Sequence, residues 1–184
     1  MSNPARSVFG FLLILSAALG GCAVPVVTLF DRDNTNEGLA IGESSNTHFF
    51  TSDSNFDTGI GLNAGSAYDV EITILSHWID SYIDENENGE ELDERGFDNS
   101  VMPLELLGVT RRSRSHRWFE LMLYQSTCGQ ESLRGVTDLS NDEANGSYRF
   151  VAACDGNLRL FVNDTPGFYL NNAGYANITL TRMN

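Results

Sequence analysis

The run Tyr68-Asp69-Val70-Glu71-Ile72-Thr73-Ile74-Leu75 alternates apolar and polar side chains, the mark of a strand with one buried face. Trp118-Phe119-Glu120-Leu121-Met122-Leu123-Tyr124 and Ser147-Tyr148-Arg149-Phe150-Val151-Ala152 read the same way. Near the C-terminus, Gly156–Val162 and Gly174–Arg182 predict two more strands flanking a polar loop, and a first strand is expected around Thr47 to Thr51. No long stretch carries a 3.6-residue period. Short strands separated by Gly, Asn and Asp turns predict an all-β fold, a sandwich or jelly roll.

The first residues do not belong to that pattern. Arg6 is followed by an apolar stretch, Val8 to Leu19, that is short for a membrane span. It ends in Leu19-Gly20-Gly21-Cys22, which resembles the lipobox of bacterial lipoproteins. That resemblance implies a signal peptide over 1–21, removed in the mature protein, with Cys22 acylated (diacylglyceryl, palmitate). Ala23 at the next position implies an address in the outer membrane of the cell envelope, and multiple acyl chains make a stable anchor. An ordinary secretory signal with an incidental Cys is the alternative. From 22 to 54 the chain is rich in Asn, Ser, Thr, Gly and Asp and reads as a tether leading into the first strand, with the β-sandwich domain over 55–184. With Cys22 acylated, Cys128 and Cys154 remain as a pair. In an oxidising compartment they are expected to form a disulfide at one end of the sandwich.

Charge narrows the partners. The net charge is −14, there is no Lys, and all 11 basic residues are Arg. That balance argues against nucleic acid, which needs a basic footprint, and against electrostatic adhesion to anionic membranes. Arg111, Arg112, Arg114, His116 and Arg117 form the one basic run. It could meet acidic glycans or lipopolysaccharide phosphates, but the simpler reading is that it offsets the chain's own acidic loop.

The chemistry concentrates in Asn163-Asp164-Thr165-Pro166-Gly167-Phe168-Tyr169-Leu170-Asn171-Asn172. It holds one carboxylate, several amides and a Pro-Gly turn, with no strong nucleophile or base. Hard oxygen donors of this kind suit Ca²⁺. Pro166 presets its backbone angle and Gly167 tolerates positive φ, so the chain can turn back after Asp164. For Asn171 and Asn172 both to face Asp164, the backbone there must leave the regular pleat. A polar hairpin loop using Asn and Asp for turn chemistry alone is the simpler alternative.

The segment resembles the calcium-dependent galactophilic bacterial lectins of the PA-I type, which carry Asn-Asp-x-Pro-Gly-x-Tyr-x-Asn-Asn-x-Gly between two closing strands; every fixed position is met from Asn163 to Gly174. The resemblance implies a galactose-binding-like β-sandwich that binds a glycan through Ca²⁺. It implies metal ligation by the side chains of Asp164, Asn171 and Asn172 and by the carbonyl of Phe168. A further carbonyl comes from a loop after an early Trp; Trp78 matches that Trp, so Ser81, or Tyr82 one along, takes the role. Asp164 and Asn171 would also touch the sugar. The family's second set of sugar contacts, a His and a Gln, has no match here. That region carries the acidic insert and Val101-Met102-Pro103-Leu104 instead, which puts galactose preference in doubt.

Asp84-Glu85-Asn86-Glu87-Asn88-Gly89 begins like an EF-hand loop but has Arg95 where the bidentate acid belongs. A solvated acidic loop is the expected reading, a second Ca²⁺ the alternative. His48, His77 and His116 show no ligand spacing, no Ser-His-Asp arrangement can be placed, and no activated nucleophile is visible. The chain therefore reads as a non-enzymatic binding protein. The competing class is a surface-tethered protein-binding or inhibitor module in which calcium only stabilises a loop.

Overall fold

A computed structural model of the protein describes residues 38–142 and 144–184. The signal segment, Cys22 and most of the tether lie outside the described residues. The described chain carries nine strands: β1 (Ser44–Phe50), β2 (Phe56–Leu62), β3 (Ala67–Asp80), β4 (Leu121–Gln125), β5 (Arg134–Gly135), β6 (Ser140–Asp142), β7 (Ser147–Val151), β8 (Gly156–Val162) and β9 (Asn172–Arg182). All pairings are antiparallel. They form a five-stranded sheet ordered β1-β9-β3-β7-β6 and a four-stranded sheet ordered β2-β8-β4-β5. This is the all-β sandwich the alternation predicts. β1 pairs along its length with β9, so the first strand closes one edge of the five-stranded sheet.

Alternation explains the core. Tyr68 and Val70 of β3, Leu158 and Leu160 of β8, and Ile178 and Leu180 of β9 are all buried, each at two-residue spacing. Burying each such side chain contributes about 1.5–3 kcal/mol. Phe49, Trp78 and Phe119 meet edge to face inside, with ring centroids 6.3 and 6.1 Å apart. Phe161 lies on the opposite face of β8 from Leu160 and is still buried. The Arg112 guanidinium covers its ring at 3.7 Å.

One irregularity positions everything that follows. Between the pairs Ser76↔Tyr175 and Ile79↔Ala173, β3 carries one residue more than β9. Gly174 lies opposite that bulge at φ +110°, and a Cβ there would come within 2.3 Å of the His77 carbonyl and 2.8 Å of the Trp78 ring. Past the bulge, Trp78 turns into the core and Asp80 lies directly opposite Asn172. β3 thus runs five residues beyond the Leu75 end expected from alternation. The disulfide Cys128–Cys154 is present, with Cα atoms 6.3 Å apart.

Candidate functional site

The loop after β8 and the end of β3 converge on one cavity of about 330 Å³. Asp80, Ser81, Asp164, Phe168 and Asn171 all line it, as do Met102, Pro103 and Leu107 from the insert. Gly167 adopts φ +95°, which lets the chain reverse after Asp164 at the Pro-Gly step. A short 3₁₀ turn, Tyr169–Asn171, then delivers Asn171 and Asn172. This is the departure from the pleat that a shared ion requires.

The contacts are specific. Asn172 is buried and donates its amide to an Asp164 carboxylate oxygen at 3.1 Å and to the Thr51 carbonyl at 3.3 Å. Its own Oδ1 is buried with no donor among the described residues. The other Asp164 oxygen accepts from Thr165 N–H at 2.5 Å. The Phe168 carbonyl accepts from Asn171 N–H at 3.1 Å, which leaves it one lone pair. Ser81 stands at φ +59° in a tight turn closed by two backbone bonds between Asp80 and Ile83, 2.8 and 2.9 Å, in which its own carbonyl takes no part. Tyr82 also lines the cavity. The ligand set implied by the resemblance is thus drawn from residues that lie together.

Asp80 is the residue that sequence reasoning missed. It is 6 % exposed, and its carboxylate makes no hydrogen bond among the described residues. Burial, and then the Asp164 carboxylate beside it, push its pKa up to about 7. Burial pushes Asp164 up as well, against the opposing pull of the Thr165 N–H and the Asn172 amide. The missed signal was parity: Trp78 on the core face puts Asp80, two residues on, on the same face.

Asn163, the first residue of the motif, is fully buried and points away from the cavity chemistry. Its Oδ1 accepts from Ser113 N–H at 2.8 Å; its amide donates to the carbonyls of Ser113 and Arg117, both at 2.8 Å, and of His116 at 3.3 Å. It clamps the basic run to the sandwich. The guanidinium groups of that run are engaged internally: Arg111 on the Gly108, Arg114 and His116 carbonyls, Arg112 on Ser54, Arg114 on Val109 and Arg117 on Glu87 at 2.6 Å. Of these, Arg117 alone pairs with the acidic loop; the others cap backbone carbonyls. Within that loop Glu87 is held by Arg117, and the Asn86 Oδ1 accepts from Asn88 and Glu90 N–H. Among the described residues no group of three His, Cys, Asp or Glu could hold a metal. The cavity at Asp164 offers two carboxylates, with amides and carbonyls making up the rest.

One expectation needs correction. A Ser-His-Asp arrangement does exist: the Ser113 hydroxyl lies 2.6 Å from His116 Nδ1, and His116 Nε2 lies 2.7 Å from Asp138. It escaped notice because Asp138 reaches the loop only through the sandwich, 22 residues on. Ser113 is itself buried and lies outside the Asp164 cavity, and Asp138 also accepts from Gly135 N–H at 3.0 Å. These bonds lock two loops together.

No protein-family model matches the chain, and no curated protein does. Among solved structures, the N-terminal domain of EclA, described as a PllA-like lectin, is similar at a TM-score of 0.45 and 19 % identity, over 74 % of this chain and 94 % of that one. No residue role is transferred at that level.

The donors fit a hard divalent cation on their own terms. All are oxygens, as Ca²⁺ prefers. Two buried carboxylates face one cavity, and a buried amide oxygen lacks a donor. Each is costly without a positive partner.

Proposed function

We propose that the domain binds carbohydrate through a Ca²⁺ ion held at the Asp164 cavity. The observation that carries this reading is the unpartnered, buried Oδ1 of Asn172, on the side chain whose amide nitrogen sits 3.1 Å from Asp164. Asp164, Asn171 and Asn172 would hold the ion through side chains, and Phe168 and Ser81 through carbonyls. When bound, the ion supplies open coordination positions at which two neighbouring hydroxyls of a saccharide are held. Asp164 would accept a hydrogen bond from one of those hydroxyls, and the Asn171 amide would donate to or accept from the other. Met102, Pro103 and Leu107 present an apolar wall to the C–H face of the ring. The family's His and Gln contacts have no counterpart, so the preferred sugar is not carried over. On this proposal the chain is a bacterial outer-membrane lipoprotein tethered through Cys22, and it is not an enzyme.

A second reading has its own observation. The segments around the cavity expose Tyr82, Leu104, Leu106, Val109, Phe168 and Leu170, an apolar display that a protein partner could cover. Screening the full-length chain on a glycan array with Ca²⁺ and with EDTA separates the two. The lectin reading expects sugar hits that vanish in EDTA. Binding no sugar under either condition, together with an unchanged heat signal on calcium titration, would sink it.

A further inference from the structure

We propose that Asp80 is a second carboxylate ligand of the cation held at Asp164. The inference rests on the cation reading above and goes beyond the ligand set that the motif supplies. It is carried by strand register. Asp80 of β3 pairs directly with Asn172 of β9, and directly opposite residues of an antiparallel pair share a face, with Cβ atoms about 4.5–5.5 Å apart. Both side chains are more than nine-tenths buried. Asp80 also lines the cavity together with Asp164 and its own neighbour Ser81.

Comparison with the other buried acids shows what Asp80 lacks. Glu120 is fully buried and accepts from Arg117 N–H at 2.9 Å, Thr137 N–H at 3.0 Å and the Thr137 hydroxyl at 2.6 Å. Asp164 accepts from a backbone N–H and from the Asn172 amide. The Asp80 carboxylate accepts from no described donor, and the side chain opposite it carries a buried oxygen that also has no donor. A cation between the Asp80 carboxylate, which faces the cavity, and the buried Asn172 oxygen on the paired strand would satisfy both at once. With Asp80 and Asp164 both ionised, a Ca²⁺ ion brings the site to neutrality, whereas Na⁺ leaves a buried negative charge. Six protein donors still leave room for two hydroxyls, because Ca²⁺ takes roughly 6–8 oxygens.

The test uses terbium and calcium on the purified full-length chain. Trp118 lines the cavity, so its indole should sensitise Tb³⁺ emission, and displacement by Ca²⁺ reports affinity. Asp80→Asn should weaken Ca²⁺ binding at least tenfold, and Tb³⁺ more than Ca²⁺. In EDTA at about pH 8, where the carboxylate is charged, the same variant should melt above the wild type, because it removes an unpaired buried charge. A purely structural Asp80 predicts the opposite sign in EDTA, and that result would overturn the proposal. If the wild type binds, Asp164→Asn does not, and Asp80→Asn binds Ca²⁺ within twofold of the wild type, Asp80 is no ligand although the cation site stands. If the wild type binds neither ion, both readings fall.

Discussion

Replacing Asn163 with Ala isolates what the first residue of the loop motif does. The side chain is fully buried and makes three bonds at 2.8 Å and a longer one at 3.3 Å, all to the backbone of Ser113, His116 and Arg117. Ala removes them and leaves the Ser113 N–H and its neighbouring carbonyls facing a void. At about 1 kcal/mol per bond, and about 1–3 kcal/mol for a donor left orphaned in the interior, the expected loss is roughly 3–5 kcal/mol. For a domain of this size that corresponds to a fall of roughly 10 °C in Tm. Asn163→Asp should be no better. It keeps the acceptor for Ser113 N–H and sets an oxygen against the three carbonyls that the amide now serves. Urea denaturation gives the free energy, and hydrogen exchange at the Ser113 amide locates the damage. The next residue makes the effect reach the cavity, since Arg112 N–H donates to the Asp164 carbonyl at 3.0 Å. A loosened 111–117 loop should therefore weaken cation binding too. An Ala variant within 1 kcal/mol of the wild type (order of magnitude set by one bond), with the Ser113 amide still protected, would refute the clamp.

Gly174→Ala should cost about 3 kcal/mol or more in thermal melts, because φ +110° disfavours any Cβ and the new atom would strike the His77 carbonyl; Gly146→Ala, also at positive φ but with open space around it, should cost only about 1–2 kcal/mol. Reducing the Cys128–Cys154 bridge, which spans 26 residues, should remove about 3.5 kcal/mol by loop-closure entropy, read as a lower urea midpoint in reductant. The pH dependence of the metal-free protein follows from Asp80, whose carboxyl is raised from 3.8 to about 7. Between those values the native state binds the extra proton, so in EDTA stability should fall as pH rises from about 4 to 7, level off above, and lose this slope in Asp80→Asn. Excess Ca²⁺, which favours the ionised carboxylate, should oppose the fall. Acylation is tested separately: palmitate labelling of the full-length chain should disappear in Cys22→Ala.

Local signals made much of this fold legible. β8 begins and ends where its sequence signal does, and β7 and β9 fall within two residues of expectation, because each is an apolar-rich run with a turn residue at its boundary. β2 (Phe56–Leu62) carries Thr58 and two glycines within Phe-Asp-Thr-Gly-Ile-Gly-Leu, so its side-chain pattern is too weak to mark a strand; its pairing with β8 supplies what propensity does not. β5 and β6 are two and three residues long and exist only through their partners. The same division holds at the site. Asp164, Phe168, Asn171 and Asn172 sit in one short loop, so their meeting can be read along the chain. Asp80 belongs to the site through a bulge and a cross-strand pair, and a residue that arrives by register leaves no local trace. The Ser113–His116–Asp138 bonds were missed for the same reason.

The placement of the two restraints on β8 has a consequence for how stability and binding couple. Gln125 pairs with Leu158 and Leu121 with Val162, so the disulfide between Cys128 and Cys154 closes the start of β8, while Asp164 follows its end. The cavity draws Asp164 from the four-stranded sheet's side and Asp80 from the five-stranded sheet, where it pairs with Asn172. A cation there would tie the two sheets together at one end, whereas the disulfide joins the flanks of two strands in a single sheet at the other. Sites that share no partners contribute additively. On the proposed reading, chelation and reduction should therefore lower stability by independent amounts, with the loss in EDTA the same in oxidised and reduced protein. Strong non-additivity in urea titrations of the four states would mean that the two ends are mechanically coupled through β8, and that sugar binding at one end could be tuned by redox state at the other.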